Sequence, residues 1–353
     1  MKAAVYHGNR DIRIESMPEP TKPASTEIVV EVLRGAICGT DVTEYLHGPH
    51  FASLDKPHPA SGHSGPLITG HEFVGRIVEI GSDVEGLQVG QRVVPGAGAW
   101  CGHCKWCLAG RVNLCATYFV YGLSAHGGMA EMATIPAYMC RLVPDVCSDD
   151  AAAMAQPLAV GLHAVERSKA KPGQTIALMG AGGIGSFILS GAQAQGLGPI
   201  IAIDIDDERL ERAKQLGATH LVNAHSEDPV KTVKRLTDDM GVEIFIEASG
   251  TPSGPSTALA ATQKGGQVLI VGMQAAPRSL DFHDLTYREI TVTSTVAHVC
   301  TSDLPKSLDI LTQTDLADFV LDRVIPLEDL VGEGIMALAD GRAKGKVVVN
   351  PTL

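Results

Sequence analysis

The run Gly180-Ala181-Gly182-Gly183-Ile184-Gly185 constrains this chain more than any other stretch. A buried-type apolar segment, Gln174–Met179, leads into it, and an apolar helical pattern through Gln195 follows. A second apolar segment, Pro199–Asp204, then ends in an acid. Strand, glycines, helix, strand and terminal acid in that order are the signature of a βαβ unit built to hold a dinucleotide. Gly180 permits the tight turn, Gly182 lets a pyrophosphate approach the backbone, and Gly185 lets the helix pack closely on the strand. The first helical N–H groups, from Gly183 and Ile184 onward, are then free to face phosphate. Asp204 lies about twenty residues beyond the fingerprint, where an acid accepts the ribose hydroxyls and repels a 2′-phosphate, favouring NAD over NADP. It could instead cap the following helix. Arg209 is expected either over the adenine or paired with a helix carboxylate.

The alternation of helix and strand extends on both sides of this unit. Asp149 and Asp150 are expected to cap a helix through Ala151–Ala155, with Pro157 interrupting it and Leu158–Arg167 helical beyond. Asp206 and Gly217 bracket a helix as N-cap and C-terminal stop. His220–Asn223, Val242–Ala248, Gln267–Gly272 and Ile290–Val296 supply four more strands, making six, the number of a doubly wound parallel sheet. Residues 151–296 therefore read as an α/β nucleotide-binding domain. Residues 1–150 read as strands and loops, with Glu27–Leu33, Phe73–Gly81 and Gln91–Pro95 strand-like and no helical pattern of normal length. A β-rich, partly barrel-like domain follows, completed by about 297–353, where Val347-Val-Val-Asn returns to it.

A length of 353 residues suits two such domains. With 28 basic against 40 acidic residues, the net charge of −12 argues against a nucleic-acid surface and gains nothing from anionic lipid. No segment approaches the ~20 apolar residues of a membrane span. The opening residues read as a first strand, and a cytoplasmic protein is expected. Its eight cysteines should then be unpaired.

Four of those cysteines crowd together as Cys101-x2-Cys104-x2-Cys107-x7-Cys115. Four thiolates at this spacing can surround one tetrahedral zinc and leave no open position, which makes the site structural. A second set is open. Cys38, His71 and Glu72 offer a thiolate, an imidazole and a carboxylate, a donor set suited to a catalytic zinc that keeps one position free. Cys38 could equally be an ordinary buried thiol. Thr40, two residues on, could reach a substrate hydroxyl or cap its own backbone. His47, His50, His58 and His63 fall in the intervening loop and read as solvated. Cys140, Cys147 and Cys300 are left over.

This combination resembles the zinc-dependent medium-chain dehydrogenase/reductase family over essentially the whole chain. The loop Cys38-Gly-Thr-Asp-Val-Thr-Glu-Tyr-Leu-His-Gly-Pro, the insertion His58-Pro-Ala-Ser-Gly-His and the segment from Tyr121 to Glu131 are most similar to the (R,R)-2,3-butanediol dehydrogenases within it. The resemblance implies a GroES-like catalytic domain and a Rossmann domain, with a ligand cleft between them. It implies that Cys38, His71 and Glu72 bind a catalytic zinc and that Thr40 hydrogen-bonds the substrate hydroxyl. The cofactors would be two zinc ions and NAD. The substrate would be a small diol or its ketone, butanediol and acetoin first, with a polyol, threonine or simple secondary alcohol as alternatives. A homodimer or homotetramer would be usual. A non-catalytic NAD-binding protein is the remote alternative, which the open donor set argues against. Two positions depart from the family. Gln156 stands where close relatives carry a carboxylate beside the zinc, and Thr43 stands where a proton-relay histidine is common.

Overall fold

The computed structural model describes residues 1–353. The chain divides into two compact units, Met1–Ala159 with His298–Leu353, and Val160–Ala297. The first division falls inside the helix Ala155–Ser168, so the nucleotide-binding unit begins later than the change of pattern at residue 150.

The first unit is built around Glu27–Ala36, a strand whose apolar residues Ile28, Val29, Val30 and Val32 are buried. It pairs antiparallel with Glu72–Ile80 on one side and with Lys346–Asn350 on the other, and Met132–Pro136 also joins it. These belong to a seven-stranded sheet that also contains Cys140–Leu142, Arg92–Pro95 and Leu321–Pro326. Its interior includes Ile28, Val30, Val32, Phe73, Ile77, Val93 and Ile135. Fully burying each such side chain contributes about 1.5–3 kcal/mol. The register matters for chemistry: Ala36 lies opposite Glu72 on one side and Val348 on the other. Glu72 and Lys346, at the starts of the flanking strands, are thereby brought to the end of the central strand, next to Cys38.

A nine-residue helix, Gly39–His47, begins directly after that strand, where no helix is expected from the sequence. The reason is visible in its buried face, which includes Asp41 and Glu44. Buried acids at core positions erase the apolar stripe on which helical periodicity depends. The region near residue 150 also differs from expectation. Ser148, whose side chain accepts the Ala151 N–H, caps a single turn over Asp149–Ala152. A new helix starts at Ala155, and Pro157 sits inside its first turn. Proline has no N–H to lose there, so it is accommodated rather than disruptive.

The second unit contains six parallel strands in the spatial order 220–223, 200–204, 176–179, 242–247, 262–270, 291–294. The order reverses between Ile176–Met179 and Val242–Glu247. Ala177, Ile201, Ile203, Val222, Phe245 and Val268 form part of its core, as expected for strands covered on both faces. Asp206 caps the helix Asp207–Gln215 by accepting the N–H groups of Glu208 and Arg209, and Gly217 follows at φ +101°. No helix of the chain is long and apolar enough to cross a membrane.

Candidate active site and metal centres

Cys38 is extended and forms the N-cap of the Gly39–His47 helix. Its N–H donates to Asp41 Oδ2 at 2.8 Å, which ties the thiol's backbone to the helix it opens. Thr40 lies in the first turn, with Oγ1 3.6 Å from Cys38 Sγ. His71 is delivered by a different device. Gly70 before it has φ +91°, and a Cβ there would lie 2.4 Å from Met129 Cγ, so only glycine lets the chain turn at that point. Glu72 then enters its strand. The fold thus brings Cys38, His71 and Glu72 together, with their ligand atoms all within 4.8 Å of one another.

Two charged groups complete the cluster, and neither is legible as a partner in the sequence. Asp41 Oδ1 lies 3.5 Å from His71 Nδ1, and both residues are buried. A carboxylate facing Nδ1 favours the proton there and leaves the Nε2 lone pair for an ion. Lys346 is also buried; its Nζ donates to the Ile37 carbonyl at 2.9 Å and is ion-paired with Glu72 Oε2. Burial opposes the charged form of His71, yet the Asp41 carboxylate and Cys38 hold its pKa well above the ordinary value. Burial likewise opposes Lys346, and Glu72, Cys38 and Asp41 raise it. The acidic groups of the cluster thus favour positive charge among them, which fits a dication. With Cys38 as thiolate and His71 neutral, as metal ligands must be, Asp41 and Lys346 cancel and Cys38 and Glu72 leave two negative charges.

Gln156 is buried in the first turn of the Ala155–Ser168 helix. Thr43 is exposed, and its hydroxyl donates to the Gly39 carbonyl at 3.1 Å, a helix-backbone contact. His47 and His50 are exposed, as expected, whereas His58 and His63 are half-buried and engaged. His58 Nδ1 accepts the N–H groups of Ala60 and Ser61, and the His63 ring meets that of His126 edge to face at 4.7 Å.

The Cys101, Cys104, Cys107 and Cys115 sulfurs also converge within 4.8 Å. Backbone N–H groups aim at them, including Cys101 N to Cys115 Sγ at 3.2 Å and Cys104 N to Cys101 Sγ at 3.4 Å. Backbone hydrogen bonds from Ala116 and Cys107 lower the Cys104 thiol to about 6, whereas burial pushes Cys107 up to about 12. Donors aimed at sulfur stabilise thiolates, so this loop fits a four-sulfur zinc. All eight cysteines are free, and Cys140, Cys147 and Cys300 are buried.

In the nucleotide-binding unit, the fingerprint glycines divide into two kinds. A Cβ on Gly185 would lie 1.9 Å from the Gly180 carbonyl oxygen, and one on Gly180 would lie 2.7 Å from Ser249 N. These two are held by packing. A Cβ on Gly183 would meet nothing within 4 Å, and one on Gly182 only Arg209 Nη1 at 3.8 Å. That side of the turn faces open space. Gly182 supplies no side-chain cap to the helix Gly183–Ala194, so Gly183, Ile184 and their neighbours present uncapped N–H groups, suited to a pyrophosphate. Asp204 is not a helix cap, since Asp206 has that role. It accepts N–H groups from Ala181 at 2.7 Å, Ile205 at 2.8 Å and Asp206 at 3.2 Å. Arg209 Nη1 stands 4.0 Å from Asp204 Oδ1, beside the glycine turn.

A βαβ nucleotide unit joined to a β-rich unit with one open and one closed metal cluster defines a class, the zinc-type dehydrogenases. Residues 24–145 match the alcohol dehydrogenase GroES-like domain and residues 183–322 the zinc-binding dehydrogenase family. The chain is 34% identical over 355 residues to (R,R)-butanediol dehydrogenase of Bacillus subtilis (strain 168), covering 99% of this chain and 100% of that one. It is 37% identical over 274 residues to sorbitol dehydrogenase of the same strain, covering 77% and 75%. Among solved structures, 2R,3R-butanediol dehydrogenase from Bacillus subtilis superposes with a TM-score of 0.92 at 32% identity, covering 99% of both chains. The chain belongs to the zinc-dependent medium-chain alcohol dehydrogenase family and is an NAD-dependent oxidoreductase.

Proposed function

We propose that this enzyme interconverts a small vicinal diol and its hydroxyketone, (R,R)-2,3-butanediol and acetoin foremost. The observation that carries the reading is the convergent Cys38, His71 and Glu72 set in a chain similar along its full length to butanediol dehydrogenases. Cys38, His71 and Glu72 hold the catalytic zinc, and Cys101, Cys104, Cys107 and Cys115 the structural one. When bound, zinc polarises the alcohol oxygen and NAD takes up the hydride. Asp41 orients His71, and Lys346 restrains Glu72. Thr40, on the first turn after Cys38, accepts the hydrogen bond of the substrate hydroxyl and orients it. Gly180, Gly182, Gly183, Ile184 and Gly185 cradle the pyrophosphate, while Asp204 and Arg209 take the adenosine end.

A polyol substrate is the second reading, favoured by the 37% identity to a sorbitol dehydrogenase. The test is NADH formation with the three stereoisomers of 2,3-butanediol, sorbitol, L-threonine and 2-butanol. Highest kcat/KM with the (R,R) isomer supports the proposal, and a preference for sorbitol overturns it. The eight free cysteines support a reducing, cytoplasmic setting. A homo-oligomer is supported by the edge strand Thr291–Ser294, which ends the six-stranded sheet with Val292 exposed and Tyr287 and Phe282 exposed nearby in sequence.

A further inference from the structure

Glu247 closes the strand Val242–Glu247, beside the point where the sheet order reverses. It is 0% exposed. Oε1 accepts the N–H groups of Ser249 at 2.9 Å and Gly250 at 3.0 Å and also the Ser249 hydroxyl. Oε2 accepts Gln274 Nε2 at 3.4 Å, and Gln274 Oε1 accepts Arg278 Nε at 3.1 Å. The Glu247 carbonyl accepts Val271 N at 2.8 Å and Gly272 N at 2.9 Å. One residue therefore fastens the loop after its own strand to the loop after the next strand, Thr262–Ile270.

The surroundings leave no slack. A Cβ on Gly272 would lie 2.3 Å from Gly250 N and 2.9 Å from Glu247 Oε2. One on Gly254 would lie 2.6 Å from Glu247 Oε1, and one on Gly180 would lie 2.7 Å from Ser249 N. The two loops and the fingerprint turn are thus packed backbone to backbone around a single carboxylate.

Ligands of such sheets bind beyond the strand C-termini, across the reversal of strand order. Asp204 ends the strand on one side of Ile176–Met179, where the adenosine half is expected, and the glycine turn lies at its centre. A dinucleotide that continues past the turn must run over the loops on the other side, those after 242–247 and 262–270. A purely structural role there would be served at less cost by an apolar residue, because a buried carboxylate has to be fully hydrogen-bonded.

From this geometry we infer that Glu247 is a positioning residue for the nicotinamide half of NAD. It fixes the two loops that form the floor under that half, and the inference rests on the dinucleotide reading of the glycine turn. The experiment compares binding of NADH, followed by its own nicotinamide fluorescence, with calorimetric binding of AMP, which probes the adenosine end alone. Both use the full-length zinc-loaded protein. Glu247→Ala leaves the half-buried Ser249 and Gly250 N–H groups without their acceptor and frees both loops, and should weaken NADH by about tenfold or more, with AMP unchanged. Glu247→Gln keeps one acceptor oxygen and should recover most of that loss. Gln274→Ala, which loosens only the second loop, should weaken NADH by a few-fold, again sparing AMP. Unchanged NADH binding in Glu247→Ala, or in both Glu247→Gln and Gln274→Ala should the alanine variant not fold, overturns the inference. So does an equal loss of AMP and NADH. A wild type that binds neither nucleotide removes the dinucleotide reading itself.

Discussion

Lys346 is the residue that the open metal cluster needs and that no local pattern announces. It is buried, paired with Glu72 across 274 residues of sequence, and reached only because two strands flank a third. Truncating one partner of a buried pair typically costs about 3–5 kcal/mol, because the other charge is left uncompensated. Lys346→Met should destabilise the metal-free protein by about that much. With zinc bound the cost should be clearly smaller, since a dication supplies the missing positive charge. Urea unfolding with and without a chelator measures both, and equal costs would contradict this account of the charge balance. Gln156 gives a second residue-level test. A carboxylate attracts zinc more strongly than an amide does, so Gln156→Glu should slow zinc loss to a chelator. Equal loss rates would make residue 156 a bystander.

Among the elements, the short strand Leu67–Ile68, which follows the insertion carrying His58 and His63, is tied to a distant loop by an imidazole. His126 Nδ1 accepts the Ile68 N–H at 3.0 Å, a bond the imidazolium cannot accept. Burial and the neighbouring His63 hold the His126 pKa below its ordinary value of 6.5. The folded state therefore binds this proton less readily than the unfolded chain does. The associated stability is present above 6.5 and is lost as pH falls through the lowered pKa. Hydrogen exchange at the Ile68 amide should show weakening protection between neutral and mildly acidic pH. His126→Asn retains an acceptor at every pH and should flatten that dependence; a variant as pH-sensitive as the wild type would show that His126 is not its source. The elements also show what could be read in advance. The six parallel strands and the glycine turn were legible because their signals are local: apolar runs, glycines at fixed offsets, an acid closing a strand. The Gly39–His47 helix was not, because Asp41 and Glu44 occupy its buried face. Glu44 accepts the His50, Phe51 and Ala52 N–H groups, a purpose visible only once the following loop is folded. The cysteine spacing disclosed the closed cluster at once, whereas Asp41 and Lys346 depend on register and distance.

For the whole molecule, the two metal clusters belong to one compact unit but have opposite characters. One is a knot of four sulfurs from a single stretch of chain; the other is a mixed-donor set from separate elements, with a counter-charge supplied from far along the chain. They should part company when challenged. Cys38→Ser should retain about one zinc per chain, the closed site, and lose nearly all turnover. Two equivalents, or full activity, would show that Cys38 does not hold the catalytic ion.

The strand that carries Lys346 also sets a schedule. Glu72 is synthesised early, but the unit it belongs to closes only when residues 298–353 arrive, after the entire nucleotide-binding unit has emerged. During translation the nucleotide-binding unit is free to fold on its own, as domains generally do. The carboxylate at the metal centre meanwhile waits in an unfinished sheet without its ammonium partner. A nascent chain is thereby kept from assembling a working centre on an incomplete scaffold, and a premature stop between Ala297 and Lys346 leaves the nucleotide-binding unit's sequence whole and removes the ammonium partner of Glu72.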